Sequence, residues 1–340
     1  MTEIVETDVI IVGAGPVGLF SVFACGMLGF RTHVVDSLEA VGGQCSALYP
    51  EKPIFDIPAF PSITAQDLID QLQQQAQPFH PVFHLSQKVI GVQSVPLGGW
   101  LLHTSESKTL KAKAIIIAAG AGAFGPNRPP LEGIEAFEGE SVLYHIRQKD
   151  ALQGKRVVIA GGGDSAVDWA ILLCDSASRV QVVHRRAGFR AAPESLSQLK
   201  DLVDKGRIDL IVPYQLNGLE GTGKQINAVI VTNFEGEKKR LEADVLLPFF
   251  GFSYDLGPLA TWGLCVEEKH LLVTPGTCET NLPGIYAVGD IARYPHKRKL
   301  ILTGFAEAAQ AAQGIRNQLF PGQSFHFEYS TTSGIPALTV

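Results

Sequence analysis

"DVIIVGAGPVGLFSVFACGMLGFRTHVVD", residues 8–36, decides the fold. It reads as a buried strand, a Gly-x-Gly-x-x-Gly turn (Gly13, Gly15, Gly18) with Pro16 opening a helix, that helix itself, and a second strand ending in Asp36. Residues 9–30 carry no charge and are long enough to span a bilayer, so a membrane helix is the competing reading. The glycine–proline cluster inside the run excludes it, because a strand, a tight turn and a buried helix account for the same letters. No basic segment or small-residue cleavage site precedes the run, so no signal peptide is expected.

The plan occurs twice. "KRVVIAGGGDSAVDWAILLCDSASRVQVVHRR", residues 155–186, repeats strand, turn, helix and strand with Gly161, Gly163 and Ala166 at the three turn positions, and Asp164 and Ser165 opening the helix. A single glycine-rich turn is weak evidence, but each copy here lies between an apolar strand and a helix, the context a dinucleotide fold requires. The first glycine makes the turn and the second lets backbone N–H groups approach a pyrophosphate. The third position lets helix pack on strand, and the helix N-terminus faces the phosphates with its partial positive charge.

The copies differ where it matters. Counting 23 residues from the first glycine reaches Asp36 in one copy and His184 in the other, the start of "HRRAGFR". A carboxylate there accepts hydrogen bonds from ribose hydroxyls and repels a 2′-phosphate. His184, Arg185, Arg186 and Arg190 favour that phosphate, since guanidinium groups bind it in a bidentate, charge-assisted way. The first site therefore reads as an adenine nucleotide without 2′-phosphate, the second as NADPH, and together they describe an electron path from a pyridine nucleotide to FAD. "TPGTCETNLPGIYAVGDIA", residues 274–292, ends a short apolar strand at Gly289-Asp290, and an alanine-rich helix follows at 303–319. Asp290 is placed to accept hydrogen bonds from a ribityl chain, and the N-terminus of that helix to stabilise negative charge on a reduced flavin.

The rest of the composition agrees. The 340 residues are 46% hydrophobic and 18% charged with 35 glycines, as expected of an α/β enzyme rich in turns. A net charge of −6 argues against a nucleic-acid binder. The cysteines, at 25, 45, 174, 265 and 278, include no close pair, which fits a reducing cytoplasm. His80 and His84 are separated by the helix-breaking Pro81, so no metal site is expected. The expected architecture is α/β with two Rossmann-like dinucleotide-binding domains, the second inserted in the first. The boundaries read as 1–122 with 248–340 for FAD, including an extension from about 320, and 123–247 for NADPH.

With these residues in place, the chain resembles the thioredoxin-reductase-like ferredoxin:NADP reductases over nearly its whole length. The resemblance rests on the glycine triad, "GGQCSALYPEK", "GGGDSAVDWA", "HRRAGFRA", "GIYAVGD" and the terminal "YSTTS". Low-molecular-weight thioredoxin reductases carry a Cys-x-x-Cys before the second nucleotide fold, where this chain has His145 and Gln148. Glutathione-reductase-like enzymes place a pair after the Gly-Gly turn, where Cys45 here is followed by Ser46, Ala47, Leu48, Tyr49 and Pro50. Both dithiol exits are closed, and Cys45 reads as a small buried hydrophobe.

The resemblance implies a flavoprotein that moves electrons between NADPH and ferredoxin or flavodoxin, with single electrons leaving the flavin itself. It implies a homodimer, with Tyr49 stacked on one face of the isoalloxazine and Tyr329 on the other, the latter moving aside for hydride transfer. Gln44, Val89, Phe124 and Thr331 match further FAD contacts. Docking of an acidic ferredoxin is expected at the basic run "HKRK", His296 to Lys299. Two other readings stay open: a reductase of another acceptor (quinone, oxygen or free flavin), and a redox-sensing module that holds both cofactors but turns over slowly.

Overall fold

The computed structural model describes residues 4–96, 98–146, 148–322, 331 and 334–335. The described residues include six α-helices: α1 (Pro16–Met27), α2 (Gln44–Leu48), α3 (Ala65–Ala76), α4 (Asp164–Leu173), α5 (Pro193–Asp204) and α6 (Ile301–Leu319). The chain forms two compact units, residues 1–124 with 254–340, and residues 125–253.

The first unit is built on a five-stranded parallel sheet in the order 285–287, 114–117, 9–12, 32–35, 82–84. Such strands are covered on both faces, which is why they read as unbroken apolar runs. Alternate side chains divide between the two faces. Ile10, Val12, Ile115, Ile117 and Ile285 pack with Leu102 and Leu110 of a four-stranded sheet (order 4–6, 109–112, 100–104, 89–94). Val9, Ile11, Val34, Ala114 and Ile116 pack against Val22 and Cys25 of α1 and Ala311, Ala312 and Ile315 of α6. Each isoleucine held fully out of water contributes about 1.5–3 kcal/mol.

Register places the site. Val12 pairs with Val35 and Ile117, and Ile117 with Ala287, so the strands end level with one another. Gly13, Asp36, Ala118 and Val288 therefore leave the sheet side by side, at the carboxyl edge where open α/β sheets bind ligands.

The second unit repeats the design with four parallel strands, ordered 209–211, 179–183, 156–160, 245–248. One face carries Val157, Ile159, Val180 and Val182 against α4 and Leu199 of α5. The other carries Val158, Ala160 and Leu246 against Val229, Val231 and Leu241 of a three-stranded antiparallel sheet. Both units are Rossmann-like. Among the described residues no helix is long and apolar enough to cross a membrane.

Candidate functional site

In the first unit Gly13 takes φ +110°, and a Cβ there would lie 2.4 Å from the Ala118 carbonyl oxygen. A Cβ on Gly18 would lie 1.9 Å from the Gly13 carbonyl oxygen, so α1 reaches the turn only because this position is bare. Gly15 differs: its missing side chain would approach no atom closer than 4.0 Å, the Cα of Gly43. Its bareness leaves the start of α1 open to approach from outside the fold. As N-cap it offers α1 no side-chain acceptor, and Pro16 removes one N–H at the start of the helix. The remaining N–H groups of the first turn are left for an anion.

Asp36 closes one side of this turn. Ala14 N–H donates to its Oδ2 at 2.6 Å and Leu38 N–H to its Oδ1 at 2.8 Å. Burial pushes its pKa up, and these N–H bonds pull the other way. Each oxygen keeps a second acceptor site for a ligand hydroxyl. The backbone of 84–87 runs beside it, with Asp36 N–H donating to His84 O and Gln87 N–H to Asp36 O. That path delivers Val89, buried, to the start of strand 89–94 near this end of the sheet.

On the other side stands α2. The Gln44 side-chain amide is 3.7 Å from the Cβ position of Gly120, just past strand 114–117. Cys45 Sγ lies 3.6 Å from the Tyr49 hydroxyl. Burial raises the Cys45 pKa, the Tyr49 contact opposes this, and the Asp290 carboxylate close by raises it further. Among the described residues the Asp290 carboxylate, half-buried, has no hydrogen-bonding partner. The structure thus gathers Gly13, Gly15, Pro16, Gly18, Asp36, Gln44, Tyr49 and Asp290 at one end of the unit. Phe124 lies in strand Ala123–Pro126, Thr331 is exposed, and Tyr329 falls outside the described residues.

The second turn follows the same logic. A Cβ on Gly161 would lie 2.7 Å from the Phe249 carbonyl oxygen and 3.0 Å from the Ala166 Cβ, whereas one on Gly163 would meet nothing within 4 Å. Gly163 is the N-cap of α4, again with no side-chain cap. Asp164 Oδ1 accepts from Ala192 N–H at 2.8 Å, and Arg190 N–H donates to Gly162 O at 2.6 Å, so residues 190–192 are tied to the turn. The His184 ring packs on Gly162 and lies 4.9 Å from the Phe189 ring centroid. Desolvation lowers its pKa, and Arg185, Arg186 and Arg190 lower it further. Those arginines are exposed, with no acidic partner among the described residues.

The sequence pattern of the pyridine nucleotide-disulphide oxidoreductases matches residues 7–314. The chain belongs to that family. Two curated relatives named ferredoxin–NADP reductase, from Rhodospirillum rubrum and Paramagnetospirillum magneticum, are each 58% identical, covering 98% and 97% of this chain and 97% and 98% of their own. A third so named, from Rickettsia akari, is 55% identical over 96% of this chain and 98% of its own. Thioredoxin reductases from T. acidophilum and Lactococcus lactis share the fold, with TM-scores of 0.77 and 0.76 at 23% and 22% identity. They cover 93% and 92% of this chain, and each is itself covered over 99%.

In this member of the disulphide oxidoreductase family all five cysteines are free, and only Cys265 is exposed. The basic run is corrected by the structure. Lys297 is not a surface docking residue: its side chain is 6% exposed and paired with Glu307, which is 2% exposed. Lys299 Nζ contacts His270 Nε2 at 2.7 Å, which leaves Arg298 and His296 as the run's exposed side chains without a partner among the described residues. Glu307 itself was missed in the sequence. Its signal was periodicity: Gly304, Glu307, Ala308, Ala311 and Ile315 form the buried face of α6, and a carboxylate on such a face needs a partner.

Proposed function

We infer that this protein is a ferredoxin–NADP reductase, with FAD held by residues 1–124 and 254–340 and NADPH by residues 125–253. The observation that carries the reading is near full-length identity of 58% to relatives of that name, in a chain whose cysteines are all free. The bare approach at Gly15 and Gly163, the uncapped starts of α1 and α4, and the Asp290 carboxylate, which has no hydrogen-bonding partner among the described residues, fit two dinucleotides.

When bound, FAD supplies the exchange between a two-electron donor and a one-electron acceptor. Gly13, Gly15, Pro16 and Gly18 seat its pyrophosphate at the start of α1, Asp36 accepts from the adenosine ribose, and Asp290 from the ribityl chain. Gln44, the backbone at Val89, Phe124 and Thr331 complete that site. Tyr49 forms one wall for the isoalloxazine, and Tyr329 is assigned the opposite wall. Gly161, Gly163, Asp164, Ser165 and Ala166 seat the second pyrophosphate. Arg185 and Arg186, with Arg190, select the 2′-phosphate, while His184 spaces them from the turn. The working protein is a cytoplasmic homodimer, with ferredoxin or flavodoxin as its acceptor.

The test is a visible spectrum of the purified protein, followed by NADPH-dependent cytochrome c reduction with and without ferredoxin, and with NADH for comparison. A flavin spectrum, strong stimulation by ferredoxin and preference for NADPH are expected. Fast flavin reduction without stimulation by ferredoxin or flavodoxin would rule out the assigned acceptor.

A further inference from the structure

Glu307 sits in the second turn of α6, buried, with both oxygens engaged. Gly289 N–H donates to Oε2 at 2.7 Å, Tyr294 O–H to Oε1 at 2.7 Å, and the Lys297 ammonium also to Oε1. Burying an ion pair costs desolvation that its attraction often fails to offset, and a packed apolar pair frequently serves stability as well. The geometry shows what the charged group holds. Gly289 has φ +73° and begins the turn from which Asp290 projects. That turn is gripped on three sides. A Cβ on Gly289 would lie 3.4 Å from Val17 of α1, a Cβ on Gly304 would lie 3.3 Å from the Gly289 Cα, and the Glu307 carboxylate takes its N–H. Val17 stands one residue before Gly18, so a single clamp ties the 289–290 turn to the glycine cradle.

We propose that Glu307, held in place by Lys297 and Tyr294, is a positioning residue for the flavin site: through the Gly289 N–H it fixes the Asp290 carboxylate relative to the start of α1. The proposal rests on the reading of this unit as the FAD site. A dinucleotide spans the cradle and the ribityl contact, so its affinity depends on how well that spacing is preserved.

Two double variants separate this from a general packing role. Glu307→Gln with Lys297→Met removes both charges but keeps an acceptor for Gly289 N–H. Glu307→Leu with Lys297→Met removes the acceptor too, at similar volume. The measurement is the dissociation constant of FAD from deflavinated protein, by quenching of flavin fluorescence, together with the visible spectrum of the bound flavin and the urea midpoint of each apoprotein. The glutamine pair is expected within about threefold of the unaltered protein, and the leucine pair at least about tenfold weaker with a shifted spectrum. Equal FAD affinity in the two pairs would overturn the positioning role while leaving the flavoprotein reading intact. Failure of the unaltered apoprotein to take up FAD would overturn that reading, and this proposal with it.

Discussion

Arg185 and Arg186 are exposed cations without acidic partners among the described residues, displayed by a loop that the Arg190–Gly162 and Ala192–Asp164 bonds hold against the second glycine turn. Their side chains carry no part of the fold, so Arg185→Ala with Arg186→Ala should raise KM for NADPH at least about tenfold and leave KM for NADH within about twofold. Steady-state kinetics with both nucleotides checks this, and a parallel loss with both would place the arginines elsewhere in the reaction. The pair His33 and His84 gives a prediction of another kind. Nδ1 of His33 and Nε2 of His84 lie 3.0 Å apart, an arrangement that requires one ring to accept. Desolvation, with help from His33 and Lys108, pushes the His84 pKa down to about 4, and desolvation and Arg31 lower that of His33. Below the ordinary value of 6.5 the unfolded chain then binds protons that the folded one refuses. Stability is therefore undiminished above that value and falls with pH between 6.5 and about 4. Urea midpoints at about pH 7 and about pH 5 should diverge more in the unaltered protein than in His84→Gln, and equal slopes would refute the assignment.

The contact between α1 and α6 shows how a single missing methyl sets the spacing of two helices. Gly304 is buried in α6, and a Cβ there would lie 2.4 Å from Cγ2 of Val17. Helix propensity favours Gly304→Ala by about 1 kcal/mol, but overpacking a buried contact costs about 1–3 kcal/mol. The substitution should lower the thermal midpoint, and adding Val17→Ala, which removes both γ carbons, should recover part of the loss. If Gly304→Ala raised the midpoint, α6 would have room that the structure does not give it. The same helix marks where the sequence stops being legible. Strand, turn and helix in both glycine motifs could be read directly, because every residue that shapes them is a near neighbour in the chain and a bare position has one physical meaning. The run from His296 to Lys299 could not, because the carboxylate that draws Lys297 inward stands ten residues on, in the second turn of another element. A string of like charges does not reveal which member turns away from water. The place of Val89 was likewise invisible to spacing, since backbone pairing of 84–87 with 36–38 leads the chain to it.

At the scale of the whole molecule, the state of the cysteines limits how electrons can leave. Four of its cysteines are buried and one, Cys265, is exposed. Cys25 and Cys278, each with a pKa driven to about 12 by burial, are thiols that neither ionise nor meet solvent at neutral pH. Burial raises the pKa of Cys45 as well, so the cysteine that stands beside Tyr49 is a poor nucleophile. A disulphide exchange pathway needs two accessible thiols that approach each other, and this chain exposes one, Cys265. Electrons that enter from a nicotinamide must then leave without passing through sulfur. Brief treatment of the native protein with iodoacetamide should attach about one label per chain, and none to Cys265→Ser, because alkylation follows thiolate character and exposure. The labelled protein should retain NADPH-dependent ferredoxin reduction within about twofold, since alkylation at Cys265 touches no residue assigned to either cofactor. If labelling abolished turnover in the unaltered protein while Cys265→Ser remained active and insensitive, blockage by the adduct at that surface would be responsible. If Cys265→Ser were itself inactive, a thiol would lie on the electron path and the dithiol-free exit would have to be abandoned.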